Sequence, residues 1–142
     1  MKYGYIAINR IKDMDFGDTV KSYMDKQSQP IEMVEDSVTN KVHWEKRKIN
    51  EVINQANEGD TIVVYEASDL ARSTSQVLEI LLAANQKGIM VYFIRHDLTF
   101  DPSTNYSTEE FLKLMKIIEN EYVTKRTTDA LARRRAAGLP LG

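Results

Sequence analysis

The sequence contains no cysteine and only two histidines, His43 and His96. Without cysteine the chain can form neither a disulfide nor a thiolate metal site. Neither histidine has a second one a helical turn away, the usual spacing of a zinc-binding pair on a helix. We therefore expect no bound metal and no cofactor.

Glycine and proline are also scarce, with six and three residues. Gly4 stands alone in a strand-like segment, so there is no glycine-rich loop for a nucleotide phosphate, and Rossmann and P-loop sites are disfavoured. No apolar run approaches the roughly 20 residues of a membrane-spanning helix. Met1 leads directly into a strand-like segment without a signal peptide, so we expect an intracellular, cytoplasmic protein without a membrane partner.

An excess of positive charge is missing as well. The chain has 142 residues and a net charge of -2, so it is not a general polyanion binder. Any contact with nucleic acid must come from a local patch. Its 42% hydrophobic and 28% charged residues are typical of a globular domain with one core.

Strand-like and helix-like segments alternate along the chain. The β-rich segments are residues 3–8, 31–34, 61–65 and 89–94, and the amphipathic segments are residues 19–26, 44–56, 73–87 and 107–137. This alternation predicts a three-layer α/β fold: a mainly parallel sheet of four to five strands, helices on both faces, and a long C-terminal helix. Sites in such sheets lie beyond the carboxyl ends of the strands, here near residues 9–10, 66–72 and 95–97.

The last helix-like segment changes character along its length. Ser107 and Glu110 form a capping-box pattern at its start, and Gly138 follows its end. The apolar stripe of its first half is Phe111, Met115, Ile118 and Tyr122, and the basic residues of its second half are Lys125, Arg126, Arg133, Arg134 and Arg135. This pattern predicts packing at one end and exposed positive charge at the other, although the helix dipole alone favours basic residues near the end of any helix.

Several motifs occur in the order found in one protein family. Gly-Tyr-Ile-Ala-Ile-Asn stands at residues 4–9, Lys-Arg-Lys at 46–48, and Glu-Ala-Ser-Asp-Leu-Ala-Arg at 66–72. These segments resemble the Gly-Tyr-x-Arg-Val-Ser strand, a further arginine position and the Asp/Ser-Arg-Leu-Gly-Arg turn of resolvase/invertase serine recombinases. The basic helix followed by Leu-Gly at 141–142 resembles the end of that family's catalytic domain, so the resemblance covers essentially the whole chain.

The resemblance implies a mechanism and a set of site residues. In this family a serine attacks a DNA phosphodiester to give a 5′-phosphoseryl link, and arginines neutralise the phosphate without a metal. By position, Asn9 stands where the family has that serine, and Arg47, Arg72 and Arg126 match family arginines. The positions implied to contact DNA are Lys125, Arg126, Arg133, Arg134 and Arg135, and those implied to form a dimer interface are Phe111, Met115, Ile118 and Tyr122.

The resemblance also implies how the chain is divided. Residues 1–106 correspond to the α/β catalytic-type domain, and residues 107–137 to a long dimerisation and DNA-arm helix continuous with it. Residues 138–142 match the start of a linker, and the sequence contains no helix-turn-helix domain after it.

The sequence departs from the family pattern at positions to which the family assigns catalytic roles. Asn9 offers a carboxamide, which cannot attack phosphorus as a serine alkoxide does. Ala7, Asp69 and Asn120 each stand where the family has an arginine. A carboxylate about 4 Å from a phosphate repels it by roughly 4 kcal/mol at an effective dielectric near 20, so we expect any cleavage rate to fall by several powers of ten. Ser68 is interpreted as a turn or capping residue.

We therefore expect a catalytically degenerate serine-recombinase domain. It would act as a homodimer or higher assembly, or pair with an active serine recombinase, and contact the DNA backbone or minor groove weakly. One alternative is an active site-specific DNA recombinase. The other is an unrelated small α/β regulatory module that binds magnesium through Asp13, Asp15, Glu66 and Asp69.

Overall fold

The computed structural model describes residues 1–8, 17–37, 42–104 and 106–138, excepting the side chains of residues 125, 126, 128 and 129. The chain forms two compact units, Met1–Asn105 and Tyr106–Gly142. The described part of the first unit contains a sheet and three α-helices, and that of the second contains one long helix. Among the described helices, none has both the length and the apolar character needed to cross a membrane.

The described residues of the first unit form a five-stranded sheet with the order β2-β1-β3-β4-β5. Its strands are β1 Lys2–Ile8, β2 Ile31–Ser37, β3 Thr61–Val64, β4 Met90–Phe93 and β5 Leu98–Phe100. The first four strands pair in parallel, and β5 pairs antiparallel with β4. The predicted mainly parallel sheet of four to five strands is confirmed.

Three helices connect the parallel strands: α1 Gly17–Asp25, α2 Lys48–Gln55 and α3 Thr74–Gln86. The chain crosses from β1 to β2 at one edge, then returns past β1 to β3 and β4. Because such crossovers are right-handed, this reversal puts α1 on one face of the sheet and α2 and α3 on the other. Val20 and Met24 of α1 pack with Ile6 and Val63, and Ile62, which alternates to the opposite face, is fully buried too.

Gly4 allows α1 and β2 to approach β1 closely. A Cβ at this position would lie 2.8 Å from Met33 Sδ and 3.0 Å from Met24 Cγ. Those distances are shorter than van der Waals contact, so a side chain at position 4 would force the two methionines to move. The isolated glycine of the first strand therefore has a packing role.

The first residue is tied to the start of β3. The Met1 ammonium group lies 3.1 Å from Asp60 Oδ1, and Asn57 N–H donates to Asp60 Oδ2 at 2.8 Å. Burial opposes ionisation of Asp60, but the Asn57 hydrogen bond and the ammonium group together hold its pKa below the usual value. Asp60 is therefore an ionised anchor for the amino end of β1.

The structure corrects the predicted end of β2. The pattern predicted a strand over residues 31–34 followed by an irregular segment, but β2 runs to Ser37. β2 stays paired with β1 up to Ile8 and Ser37, so its polar second half also belongs to the sheet. The predicted connection over residues 95–106 also contains the short strand β5, which follows a left-handed residue, Asp97, at φ 47°.

The single helix predicted over residues 44–56 is wrong at Arg47. A 3₁₀ turn covers Trp44–Lys46, and α2 begins at Lys48. Arg47 lies between them in an extended conformation, with φ -98° and ψ 162°. Asp36 Oδ2 accepts the Lys48 N–H at 2.9 Å, so a carboxylate from β2 satisfies a donor at the start of α2.

The second unit is built on α4, Thr108–Ala136, whose 29 residues span about 43 Å. Ser107 is its N-cap and accepts from Glu110 N–H, and Gly138 follows its end at φ 71°. The long C-terminal helix and both of its end signals are confirmed. Acidic residues stand in its first turn and basic ones in its last, as the helix dipole favours.

Candidate anion-binding site

The candidate site lies where the strand order reverses, at the carboxyl ends of β1 and β3. The connections after these two strands leave in opposite directions, and this is where doubly wound sheets hold their ligands. Four charged residues near this edge are at most 7% exposed: Asp36, Arg47, Glu66 and Asp69. Because a buried charge is costly unless it is paired, each of them requires partners.

Arg47 is the central residue of this site. Its Nη2 donates to the backbone carbonyl oxygen of Asp69 at 2.9 Å, and its guanidinium carbon lies 6.0 Å from the centroid of the Tyr5 ring. Its Nε and Nη1 are buried and have no hydrogen-bond partner among the described residues. The guanidinium stays charged at all relevant pH values, so these two donors suit an anion.

Tyr5 and Asp36 meet beside this arginine. Tyr5 Oη donates to Asp36 Oδ2 at 2.7 Å, the same oxygen that accepts Lys48 N–H. Burial raises the pKa of Tyr5, the charge of Arg47 opposes that rise, and the bond to Asp36 adds to it. Tyr5 is therefore a neutral donor that fixes the Asp36 carboxylate.

The turn after β3 closes the site on its other side. The 3₁₀ turn Ala67–Asp69 is held by a reciprocal cap, in which the Glu66 carboxylate accepts from Asp69 N–H and the Asp69 carboxylate accepts from Glu66 N–H. Ser68 Oγ donates to Glu66 Oε1 at 2.9 Å, and Arg95 Nη1 lies 2.6 Å from Glu66 Oε2. The Asp69 carboxylate thus bonds to its own turn, and its main-chain carbonyl is the group that holds Arg47.

The structure describes only some of the catalytic positions that were predicted from the sequence. Arg47 is buried in the site, whereas Arg72 is exposed just before Ser73, the N-cap of α3. Asn9 and the side chain of Arg126 lie outside the described residues, as do Arg10 and the side chain of Lys125. Their convergence with Arg47 therefore stays a prediction.

The α4 positions named from the sequence are spread along the helix. Arg133, Arg134 and Arg135 are exposed in its last turn. Phe111 is 40% exposed, while Ile118 and Tyr122 are buried. Met115 lies between them, half-buried and one turn after Phe111. The interface and DNA-contact roles of these residues stay predictions.

Sequence reasoning missed Asp36 as a member of this site, and it named the segments that contain Glu66 and Arg95 without the contact that joins them. Asp36 was assigned to an irregular segment, although in a longer β2 it pairs with Ala7, two residues before the family's serine position. A parallel strand that starts level with its neighbour reaches the same edge, and that length argument could have identified Asp36. Arg95 could not be assigned a partner, because its contact with Glu66 joins the ends of two different strands.

The acidic residues do not form a metal centre in the described part of the chain. No three histidine, aspartate or glutamate side chains there are placed to hold a metal ion. Glu66 and Asp69 bond to each other within the turn, and Glu66 also bonds to Arg95. Asp13 and Asp15 lie outside the described residues.

Comparison with known proteins identifies the family. The family model for the resolvase N-terminal domain matches residues 17–139. A protein named Resolvase from Clostridium perfringens is 25% identical over 97 residues, which cover 66% of this chain and 51% of that relative; the chain thus spans about half its length. A resolvase family site-specific recombinase from Streptococcus pneumoniae has a solved structure that aligns over 95% of this chain and 97% of its own, at 16% identity and a TM-score of 0.42. On the family match, this chain belongs to the resolvase family and corresponds to its N-terminal domain.

Proposed function

We propose that this domain serves DNA site-specific recombination by holding a backbone phosphate at Arg47 without cleaving the strand. It also assembles with a second copy or with an active serine recombinase. The observation that carries the proposal is the buried guanidinium of Arg47, whose Nε and Nη1 have no partner among the described residues.

The energetics favour an anion at Arg47. Leaving a buried donor without a hydrogen bond costs about 1–3 kcal/mol, and hydrogen bonds from a guanidinium to a phosphate oxygen are among the strongest available. Tyr5 Oη and Lys48 N–H both bond to Asp36 Oδ2, so two donors beside Arg47 are already directed to that carboxylate. A phosphate oxygen bonded to Nε and Nη1 of Arg47 would satisfy both donors and leave those bonds intact.

The sequence supports binding without cleavage. Asn9 stands at the family's serine position and offers no hydroxyl, and Ala7 removes a cation two residues before it. Ser68 belongs to the turn after β3, and its hydroxyl donates to Glu66. A phosphate bound at Arg47 thus lacks an attacking oxygen from the family's own position.

Helix α4 supports assembly and contact with DNA. Five apolar side chains on it are more than a third exposed: Phe111 40%, Leu112 61%, Ile117 37%, Val123 47% and Leu131 38%. Exposed apolar residues on a long helix are typical of a protein interface. The exposed arginines of its last turn, Arg133 to Arg135, supply the local positive charge that the net charge of the chain does not.

A supercoiled plasmid with paired recombination sites tests the absence of cleavage. We expect no nick, inversion, resolution or protein–DNA adduct from the chain as it stands. Asn9→Ser, alone and together with Ala7→Arg, restores the hydroxyl and one of the three absent arginines, and the two variants serve as the matched gain-of-function pair. An adduct formed by the unaltered chain would establish the active recombinase, the alternative that family membership favours, and Ser68→Ala would show whether that serine carries it.

Equilibrium binding to a short DNA duplex tests the role of Arg47. We expect Arg47→Met, an apolar replacement of similar length, to weaken binding about tenfold or more, the size of a lost hydrogen bond to a charged group. Lys26→Ala removes one exposed positive charge from α1's end and is the control. Equal affinities of Arg47→Met and Lys26→Ala would reject the phosphate site.

Sedimentation of the purified chain tests assembly. We expect a dimer at tens of micromolar, and Leu112→Glu to shift it toward the monomer, because a charge in an apolar interface is costly. Glu109→Gln, at a neighbouring exposed position of the same helix, is the control. A strict monomer at that concentration would reject homodimerisation and leave pairing with another recombinase to be tested by mixing the two proteins.

A further inference from the structure

We infer that Arg95 is a positioning residue for the Arg47 site and acts through Glu66 and the turn Ala67–Asp69. The inference rests on the proposed anion-binding role of Arg47. Arg95 follows β4, the strand that pairs with β3, and so reaches the turn from a neighbouring strand rather than from the loop itself.

Glu66 is held from two sides by this arrangement. Arg95 Nη1 lies 2.6 Å from Glu66 Oε2, with side-chain exposures of 41% and 10%. The other carboxylate oxygen accepts from Ser68 Oγ at 2.9 Å. A short, charge-assisted bond to a buried carboxylate constrains its rotamer more strongly than an exposed ion pair does.

The position of Glu66 determines the geometry of the turn. Its carboxylate accepts from Asp69 N–H, its N–H donates to Asp69 Oδ2 at 3.3 Å, and its carbonyl accepts from Asp69 N–H at 3.1 Å. The Asp69 carbonyl that emerges from this turn accepts from Arg47 Nη2. Because this hydrogen bond orients the guanidinium, a shift of the carbonyl redirects the other two donors of Arg47, Nε and Nη1.

Arg95 can fix the position of Glu66 although its own side chain is not part of the core. Its backbone N–H donates to Tyr65 O at 2.9 Å, and Ile94 N–H donates to Val64 O at 2.9 Å, so β3 and β4 stay in register up to the turn. Its side chain is 41% exposed, so truncation leaves little cavity. We therefore expect removal of the Arg95 side chain to change the orientation of the Arg47 donors more than the stability of the fold.

A double-mutant cycle on duplex binding tests the inference. We expect Arg95→Ala to weaken binding about threefold to tenfold, the usual range of coupling through a network, and to change nothing in the Arg47→Met background. Arg95→Lys, which keeps a donor for Glu66, should recover part of the loss. Lys26→Ala again controls for the loss of one positive charge.

The salt dependence separates positioning from direct contact. If Arg95 acts through Arg47, the slope of log affinity against log salt is unchanged in Arg95→Ala; if it touches a phosphate itself, the slope falls by about 0.9. A fallen slope, or an equal loss with and without Arg47, overturns the inference. If Arg47→Met weakens duplex binding and Arg95→Ala does not, only this inference is overturned. If Arg47→Met does not weaken binding, both the proposed function and this inference are overturned.

A spectroscopic readout covers the case in which Arg47→Met does not fold. The Arg47 Nε–H resonance reports the environment of a buried donor in the otherwise intact chain. We expect it to move in Arg95→Ala and to return toward its original position in Arg95→Lys. An Arg47 resonance unchanged by Arg95→Ala overturns the inference.

Discussion

Arg47 Nη2 donates to the backbone carbonyl oxygen of Asp69 at 2.9 Å, so a main-chain group holds the buried guanidinium. The Asp69 side chain has a separate role, because its carboxylate accepts from Glu66 N–H. The charge of Asp69 thus serves the turn, and its carbonyl orients Arg47.

These separate roles of the Asp69 carboxylate and carbonyl predict different effects of two substitutions at position 69. Asp69→Asn keeps an acceptor for Glu66 N–H and removes a negative charge, so we expect duplex binding to stay equal or to strengthen. Asp69→Ala loses the cap and should lower the free energy of unfolding by about 1 kcal/mol. Urea unfolding and duplex titration of both variants measure this, and weaker binding by Asp69→Asn would show that its carboxylate supports the site.

Inorganic phosphate should stabilise the folded chain through Arg47. A ligand at a hundred times its Kd raises the free energy of unfolding by about 2.7 kcal/mol. We expect the melting temperature to rise with phosphate in the unaltered chain and in Lys26→Ala, but not in Arg47→Met. An equal rise in all three proteins would assign the effect to general salt exclusion.

The Asp60 anchor predicts a pH dependence of stability. The folded-state pKa of Asp60 is lowered, so its contribution is fully present above the unfolded-state pKa and is lost as pH falls through the folded-state pKa. We expect Asp60→Asn to cost about 1 kcal/mol near neutral pH, and the difference from the unaltered chain to shrink below about pH 4. Urea unfolding of both proteins at pH 7 and pH 3 measures it; a constant difference would contradict the anchor.

The close approach at Gly4 predicts destabilisation by the smallest side chain. Gly4→Ala places a Cβ 2.8 Å from Met33 Sδ, and such overpacking costs about 1–3 kcal/mol. The flexible methionine can move, so we expect the lower half of that range. Introducing Gly4→Ala into a Met33→Ala background should cost less, and an equal cost in both backgrounds would place the strain elsewhere.

Much of the fold could be predicted because local patterns carry it. The strand and helix alternation, the Ser73 and Ser107 caps and the glycine at position 138 each act over a few residues, and all four are present in the structure. The break at Arg47 could not be predicted, because it coincides with contacts to distant segments: Arg47 donates to the Asp69 carbonyl, and Lys48 N–H donates to Asp36 of β2. Sequence periodicity contains no information on such a contact between distant segments.

The location of the candidate site could be predicted in part. The rule on strand ends pointed to residues 66–72 and 95–97, and Arg47 was named from the family resemblance. The sequence did not show which atoms make the contacts. It did not show that Arg47 bonds to the Asp69 carbonyl, or that the Glu66 carboxylate bonds to both Arg95 and Ser68. Those relationships depend on rotamers and on the register of β3 with β4.

The strand order also bears on how the protein is made. Lys2 pairs with both Ile31 and Thr61, so β1 becomes an interior strand whose two neighbours are both synthesised after it. At about 5–20 residues per second, β1 waits for seconds before β3 has been synthesised. Until then the apolar side chains of β1 lack one of the two strands that flank it in the folded sheet.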